Sequence, residues 1–134
     1  MEPTDLFPII AVLSIIGVEF GGWALLTFIS VKTDELDYFR QRFFRAGHAH
    51  AGVLLVLSLV YFLYLPRADY SNGVEWLAGA VLTVGVLMQS GGFFIHLGVG
   101  QEGQSSIGTK VTRLGAVVIA AALIILAVGL IKTA

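Results

Sequence analysis

Four long apolar runs occupy most of this 134-residue chain, and they limit its fold more than any motif does. They extend from Leu6 to Val31, Ala46 to Leu65, Trp76 to Gly98 and Leu114 to Ile131. Each reaches the roughly 18 residues at which an apolar helix can cross a bilayer. The expected class is therefore all-α: a polytopic membrane protein, one antiparallel bundle of four transmembrane helices over residues 1–134. The first run lacks a basic leader and exceeds the length of a signal-peptide core, so a cleaved signal peptide is not expected.

Short links make successive helices antiparallel neighbours. The first, Val31 to Arg45, opens on Thr33-Asp34-Glu35 and continues through Leu36, Tyr38, Phe39, Phe43 and Phe44, which predicts a short interfacial helix ahead of the second span. Pro66 and Ser71-Asn72-Gly73 predict a turn at the water boundary between spans two and three. Val99 to Arg113, rich in Gly, Gln and Ser, reads as a mobile loop. In the fourth span, Gly115, Ala116, Ala120 and Ala127 are small enough to let backbones approach, so that helix reads as packing material.

Charge settles partners and orientation. With 8 basic and 9 acidic residues the net charge is −1, which gives no electrostatic footprint for nucleic acid. Lys32, Arg40, Arg42, Arg45, Lys110 and Arg113 flank one side of the bundle, whereas Arg67 and Lys132 flank the other. The positive-inside rule then puts both termini outside and the first side in the cytoplasm, in what is expected to be a bacterial plasma membrane. Arginines at a helix mouth are equally suited to pairing with an anionic cofactor. Absence of cysteine excludes disulfides, thiolate metal sites and haem thioether attachment.

The chemistry-bearing residues are few. His48 and His50 bracket Ala49 at the mouth of the second apolar run, and His96, the remaining histidine, lies near the end of the third. Antiparallel connectivity puts all three toward the same side of the membrane. At a rise of about 1.5 Å per residue, Glu19 and Gln89 come near mid-bilayer, His50 a few Å beyond them, and His48 and His96 another turn on. Imidazole inside a membrane is costly and is useful chiefly as a ligand or proton carrier. His48, His50, His96 and Glu19 are therefore the candidate ligands for a metal, and the three histidines the candidate ligands for a haem.

Two residues apart on a helix means roughly 200° of rotation, so His48 and His50 face nearly opposite ways and do not readily share one ion. Gly52, one turn from His48, and Gly92, one turn from His96, leave bare backbone for a flat macrocycle or a second helix. The bland alternative is that each ring bonds a carbonyl, a water or Glu19 and only orders the bundle. Glu19, between Gly17 and Gly21, has the same alternative as a protonated carboxyl bonded across a helix interface. Gln89 and Ser90 read as interhelical hydrogen-bond donors, and Trp23, Tyr61, Tyr64, Tyr70 and Trp76 as belt or packing aromatics.

His48-Ala49-His50 opening the second helix of a four-helix unit, with His96 at the far end of the third, resembles one arc of the catalytic subunit of haem-copper oxidases and nitric oxide reductases. It is also similar to small stand-alone bacterial membrane proteins whose second helix begins His-Ala-His. That catalytic subunit has three pseudo-equivalent arcs of four helices. In one arc a His-x-His ligates two haems, one on each side; in another, histidines on the second helix and at the end of the third bind copper or iron. The resemblance implies His48 and His50 as haem ligands, His96 as a metal ligand, and a homo-oligomer, preferably a trimer mimicking the three arcs. Haem, copper or another transition metal would serve electron transfer, gas chemistry or metal handling. A non-catalytic scaffold or accessory subunit, and a proton or small-solute conduit, are the competing classes.

Overall fold

The structure is a computed structural model that describes residues 1–32 and 34–134. Helix α1 spans Pro3–Ser30, α2 Tyr38–Tyr64, α3 Asn72–Val99 and α4 Ile107–Thr133, with a 3-10 turn over Leu65–Ala68 after α2. All four helices are long and apolar enough to cross a membrane, and no strand occurs among the described residues. The chain is an all-α, four-helix protein of the kind that fits an integral membrane location.

The starts of α2 and α4 outrun the apolar stretches because polar side-chain caps, not the boundary of the lipid, set where these helices begin. Among the described residues, no separate interfacial helix precedes α2. Asp34 and Glu35 lie in a turn, Thr33 falls outside the described residues, and Tyr38 to Arg45 form the first two turns of α2 itself. Asp37 is the N-cap: its carboxylate accepts from the Arg40 amide at 2.8 Å and also pairs with the Arg40 guanidinium. That amide hydrogen bond, with the Arg40 charge in support, holds the Asp37 carboxyl below its ordinary range.

The third link is likewise shorter than expected, running only from Gly100 to Ser106. Ser106 and Thr109 form a reciprocal capping box, in which the Ser106 amide donates to Thr109 Oγ1 at 3.0 Å. The expected turn between α2 and α3 is present. Asp69 there takes a left-handed φ of 49°, which a short polar side chain tolerates.

Two contacts close one end of the bundle: the side chain of Asn72 donates to Glu2, and Thr133 Oγ1 donates to the Arg67 carbonyl at 2.9 Å. Both termini and the α2–α3 turn therefore share that end. The main core sits in the same half, around Phe7, Tyr61, Phe62, Leu65, Leu82 and Leu126. Phe7 stacks on Phe62 and meets Trp76 edge-on, each at 5.4 Å between ring centroids. Tyr61 is fully enclosed and donates its hydroxyl to the Ala122 carbonyl at 3.1 Å, tying α2 to α4.

Helices α3 and α4 make the tightest contact. Small residues recur every seven positions on both, at Ala78, Gly85 and Gly92 and at Gly108, Gly115, Ala122 and Gly129, and all are buried. A Cβ on Gly92 would come within 2.6 Å of the Gly108 carbonyl oxygen, and one on Gly85 within 2.9 Å of the Ile119 amide. The bare backbone at Gly92 thus receives a second helix. Ala116, Ala120 and Ala127, expected in this seam, face outward instead. The seven-residue period of α4 selects one stripe, and they lie off it.

Candidate functional site

All three histidines lie in the half of the bundle opposite the main core, but each meets a different neighbour. His48, on the α1 side of α2, rests on backbone that lacks side chains. A Cβ on Gly22 would lie 3.1 Å from its Cε1 and 3.2 Å from its Nε2, and one on Gly21 would lie 3.4 Å from its Nδ1. The ring opens into a groove of about 220 Å3 between α1, α2 and α3, where it is the one titratable lining residue. Ser14 and Ser90 also line this groove, yet each hydroxyl is bound to a carbonyl of its own helix, Ile10 at 2.7 Å and Val86 at 2.6 Å. Ser90 therefore bonds within α3 and not across helices.

His50 turns the other way, as the helical rotation requires, and faces α3, its ring 4.6 Å from that of Phe93. Its Nδ1 lies 2.8 Å from the Ala46 carbonyl oxygen, one turn earlier. A carbonyl only accepts, so Nδ1 donates to it, and Nε2 is the ring nitrogen left for another partner.

His96 is 2% exposed, near the end of α3. Its Nδ1 lies 2.7 Å from the hydroxyl of Ser106, the residue that caps α4, and its ring packs against Phe43 at 4.2 Å and Phe39 at 5.5 Å. His50 and His96 are linked only through a chain of rings, His50 to Phe93, Phe93 to Phe43 at 6.4 Å, and Phe43 to His96, among the described residues. Ser106 and these two phenylalanines are site residues that the positions of the histidines do not reveal. The signal for Ser106 is its spacing to Thr109, which marks a helix start.

Glu19 stands apart from the histidines. The face of α1 turned toward α2 and α3 carries Ser14, Val18, Gly21 and Leu25, and Glu19, about 100° round the helix from Val18, is exposed on the outer surface beside Phe20 and Trp23. The mid-bilayer depth inferred for it does not bring it to the imidazoles. Among the described residues, no group of three or more His, Cys, Asp or Glu side chains is gathered closely enough to hold a metal ion. His48, His50, His96 and Glu19 therefore form no common centre within one chain. Comparison of the chain with protein-family models, curated proteins and solved structures finds no match.

Proposed function

We propose that this is a haem-binding membrane protein, resident in a bacterial plasma membrane with its histidine end cytoplasmic, and that it acts in electron transfer or small-gas chemistry as a homo-oligomer. The observation that carries this reading is the 2.8 Å contact between His50 Nδ1 and the Ala46 carbonyl oxygen. Histidines that ligate metals commonly donate their other ring N–H to a carbonyl or carboxylate, which fixes the ring and frees the lone pair. The Nδ1 contact to Ala46 has that form.

Haem suits the donor set better than copper or zinc does. A zinc or copper centre takes three or four protein ligands, whereas haem brings its own four nitrogens and needs one or two axial groups. The separated imidazoles of this chain can meet only the second demand. Here His50 would hold the iron through Nε2, the Ala46 carbonyl would orient the ring, and Phe93 would shield one side of it. His48, on the opposite face, is the candidate for a second haem, as the resemblance to the oxidase arc implies. Its groove of about 220 Å3 is too small to enclose a porphyrin, so a macrocycle there would stand against lipid or a second chain. That consideration favours an oligomer; the trimer rests on the three-arc resemblance alone.

Visible absorption of protein produced with ample haem supply tests the reading. The wild type should show a Soret band that His50→Ala abolishes and His48→Ala weakens. Protein that is colourless and fails to take up added haem would overturn it. The contacts of His48 with Gly21 and Gly22, and of His96 with Ser106, would then be read as helix staples in a scaffold protein.

A further inference from the structure

The geometry points to a second site, a phosphate-binding cavity at the histidine end that takes the headgroup of an anionic phospholipid. It is independent of His50 and of the haem reading. A cavity of about 550 Å3 opens between the first turns of α2, the end of α3 and the Gly100–Ser106 link. Arg42 and Arg113 line it from α2 and α4, Ser105, Thr109 and Gln104 add hydrogen-bonding groups, and Phe39 and Phe43 form an apolar side.

Three features favour a phosphate. First, neither arginine is ion-paired: the salt bridges among the described residues are Lys32–Glu35 and Arg40–Asp37. Glu102 also lines the cavity and leaves two guanidinium groups against one carboxylate, a balance that attracts an anion and repels a metal cation. Second, His96 points a spare nitrogen here. Its Nδ1 is taken by Ser106, and Nε2 has no protein partner. No sealed side-chain N or O among the described residues lacks a partner, so Nε2, in a residue only 2% exposed, must reach open space, and the space its ring lines is this cavity.

Third, the N-terminus of the 27-residue helix α4 adjoins the cavity, and its dipole favours negative charge. The capping box already engages the Gly108 amide through Ser106, so the side chains rather than the free amides must hold the anion. The apolar side made by Phe39 and Phe43, and the position at the ends of membrane-length helices, favour a lipid over a soluble phosphate.

Native mass spectrometry from nanodiscs of mixed phosphatidylglycerol and phosphatidylcholine provides the test. The wild type should retain phosphatidylglycerol selectively, and the double variant R42Q/R113Q should lose that selectivity by about tenfold. R42K/R113K should keep part of it, and R67Q/K132Q, at the opposite end, all of it. Helical content by circular dichroism checks that each variant is folded, and if the double variant is not, R42Q and R113Q singly should each lose part of the selectivity. In lipid-depleted detergent, a 31P signal from bound inorganic phosphate that the same arginine variants remove would support the phosphate site with a soluble source. Equal retention of both lipids by the wild type with no bound phosphate, or selectivity unchanged in the glutamine variants, would overturn the proposal; so would tight zinc binding that depends on His96 and Glu102.

Discussion

The two sides of this bundle are built on different principles. Along the α3–α4 seam, backbone meets backbone through buried small residues at a seven-residue repeat, whereas α1 touches the bundle through Phe7, Ala11, Leu25 and the glycines beneath His48. Only 11% of the apolar stretch of α1 is buried, against 39% for α3. Phe20 and Trp23 on its outer face are 70% and 68% exposed. In lipid, apolar residues gain little from leaving one greasy surface for another, so close packing must supply helix association. The seam has that packing; α1 leaves its outer surface free for lipid, another chain or a cofactor. The chemistry-bearing groups His48 and Glu19 belong to the open side.

The largest effect should come from filling the seam. A Cβ at Gly115 would overlap the backbone of Gln89, and no flexible side chain can yield there, because the atoms it meets are main-chain. Gly115→Val should therefore force the α3 and α4 axes apart and destabilise the bundle by about 3 kcal/mol. Unfolding in mixed micelles, followed by tryptophan fluorescence, measures this. A variant as stable as the parent would mean that the seam is not the structural spine.

A smaller effect is expected on the open side. Glu19 is exposed and has no hydrogen-bonding partner among the described residues, and a carboxyl facing lipid is costly unless a neighbouring molecule bonds it. If self-association supplies the neighbour, Glu19→Leu should leave the stability of the single chain and the spectrum of any bound haem unchanged. The oligomer should weaken by about 1–2 kcal/mol, the range for polar contacts between membrane helices. Dissociation of labelled chains in bilayers, followed by energy transfer, reads this directly. Association equal to that of the parent would remove Glu19 from the interface.

Much of this contrast is written in the chain, though in two different codes. Apolar run length gives the four spans, and link length gives their antiparallel order and the common end of the three histidines. It does not give helix ends, because α2 starts at the Asp37 cap and α4 at the Ser106 capping box, both in polar sequence beyond the apolar runs. Depth also says nothing about rotation. Counting rise per residue gives Glu19 and the histidines neighbouring depths, yet Glu19 faces outward, which is legible only from the inward stripe of Ser14, Val18, Gly21 and Leu25. For His48 and His50, the roughly 200° of rotation between positions two apart predicts opposite faces, and the observed divergence follows from it. His96 pairs with a residue ten positions on, across a helix-to-helix link, and no periodicity within one helix announces that contact.

The smallest expected effect gives the finest test of the comparison, by placing the same substitution on each side. Gly17, on the exposed part of α1 beside the His48 groove, has nothing within 4 Å of where a Cβ would stand, whereas Gly115 has the backbone of α3. Gly17→Ala should be neutral or stabilising by up to about 1 kcal/mol, because alanine loses less backbone entropy in a helix than glycine does. Gly115→Ala should destabilise despite the same gain in helix propensity. Measured side by side in the same micelles, the two changes must therefore differ in sign or nearly so. If Gly17→Ala costs as much as Gly115→Ala, then the open side is occupied in the membrane. Repeating the measurement under conditions that hold the protein monomeric identifies the occupant: a cost that vanishes on dilution belongs to a second copy of the chain, and one that persists belongs to a ligand in the groove beside His48.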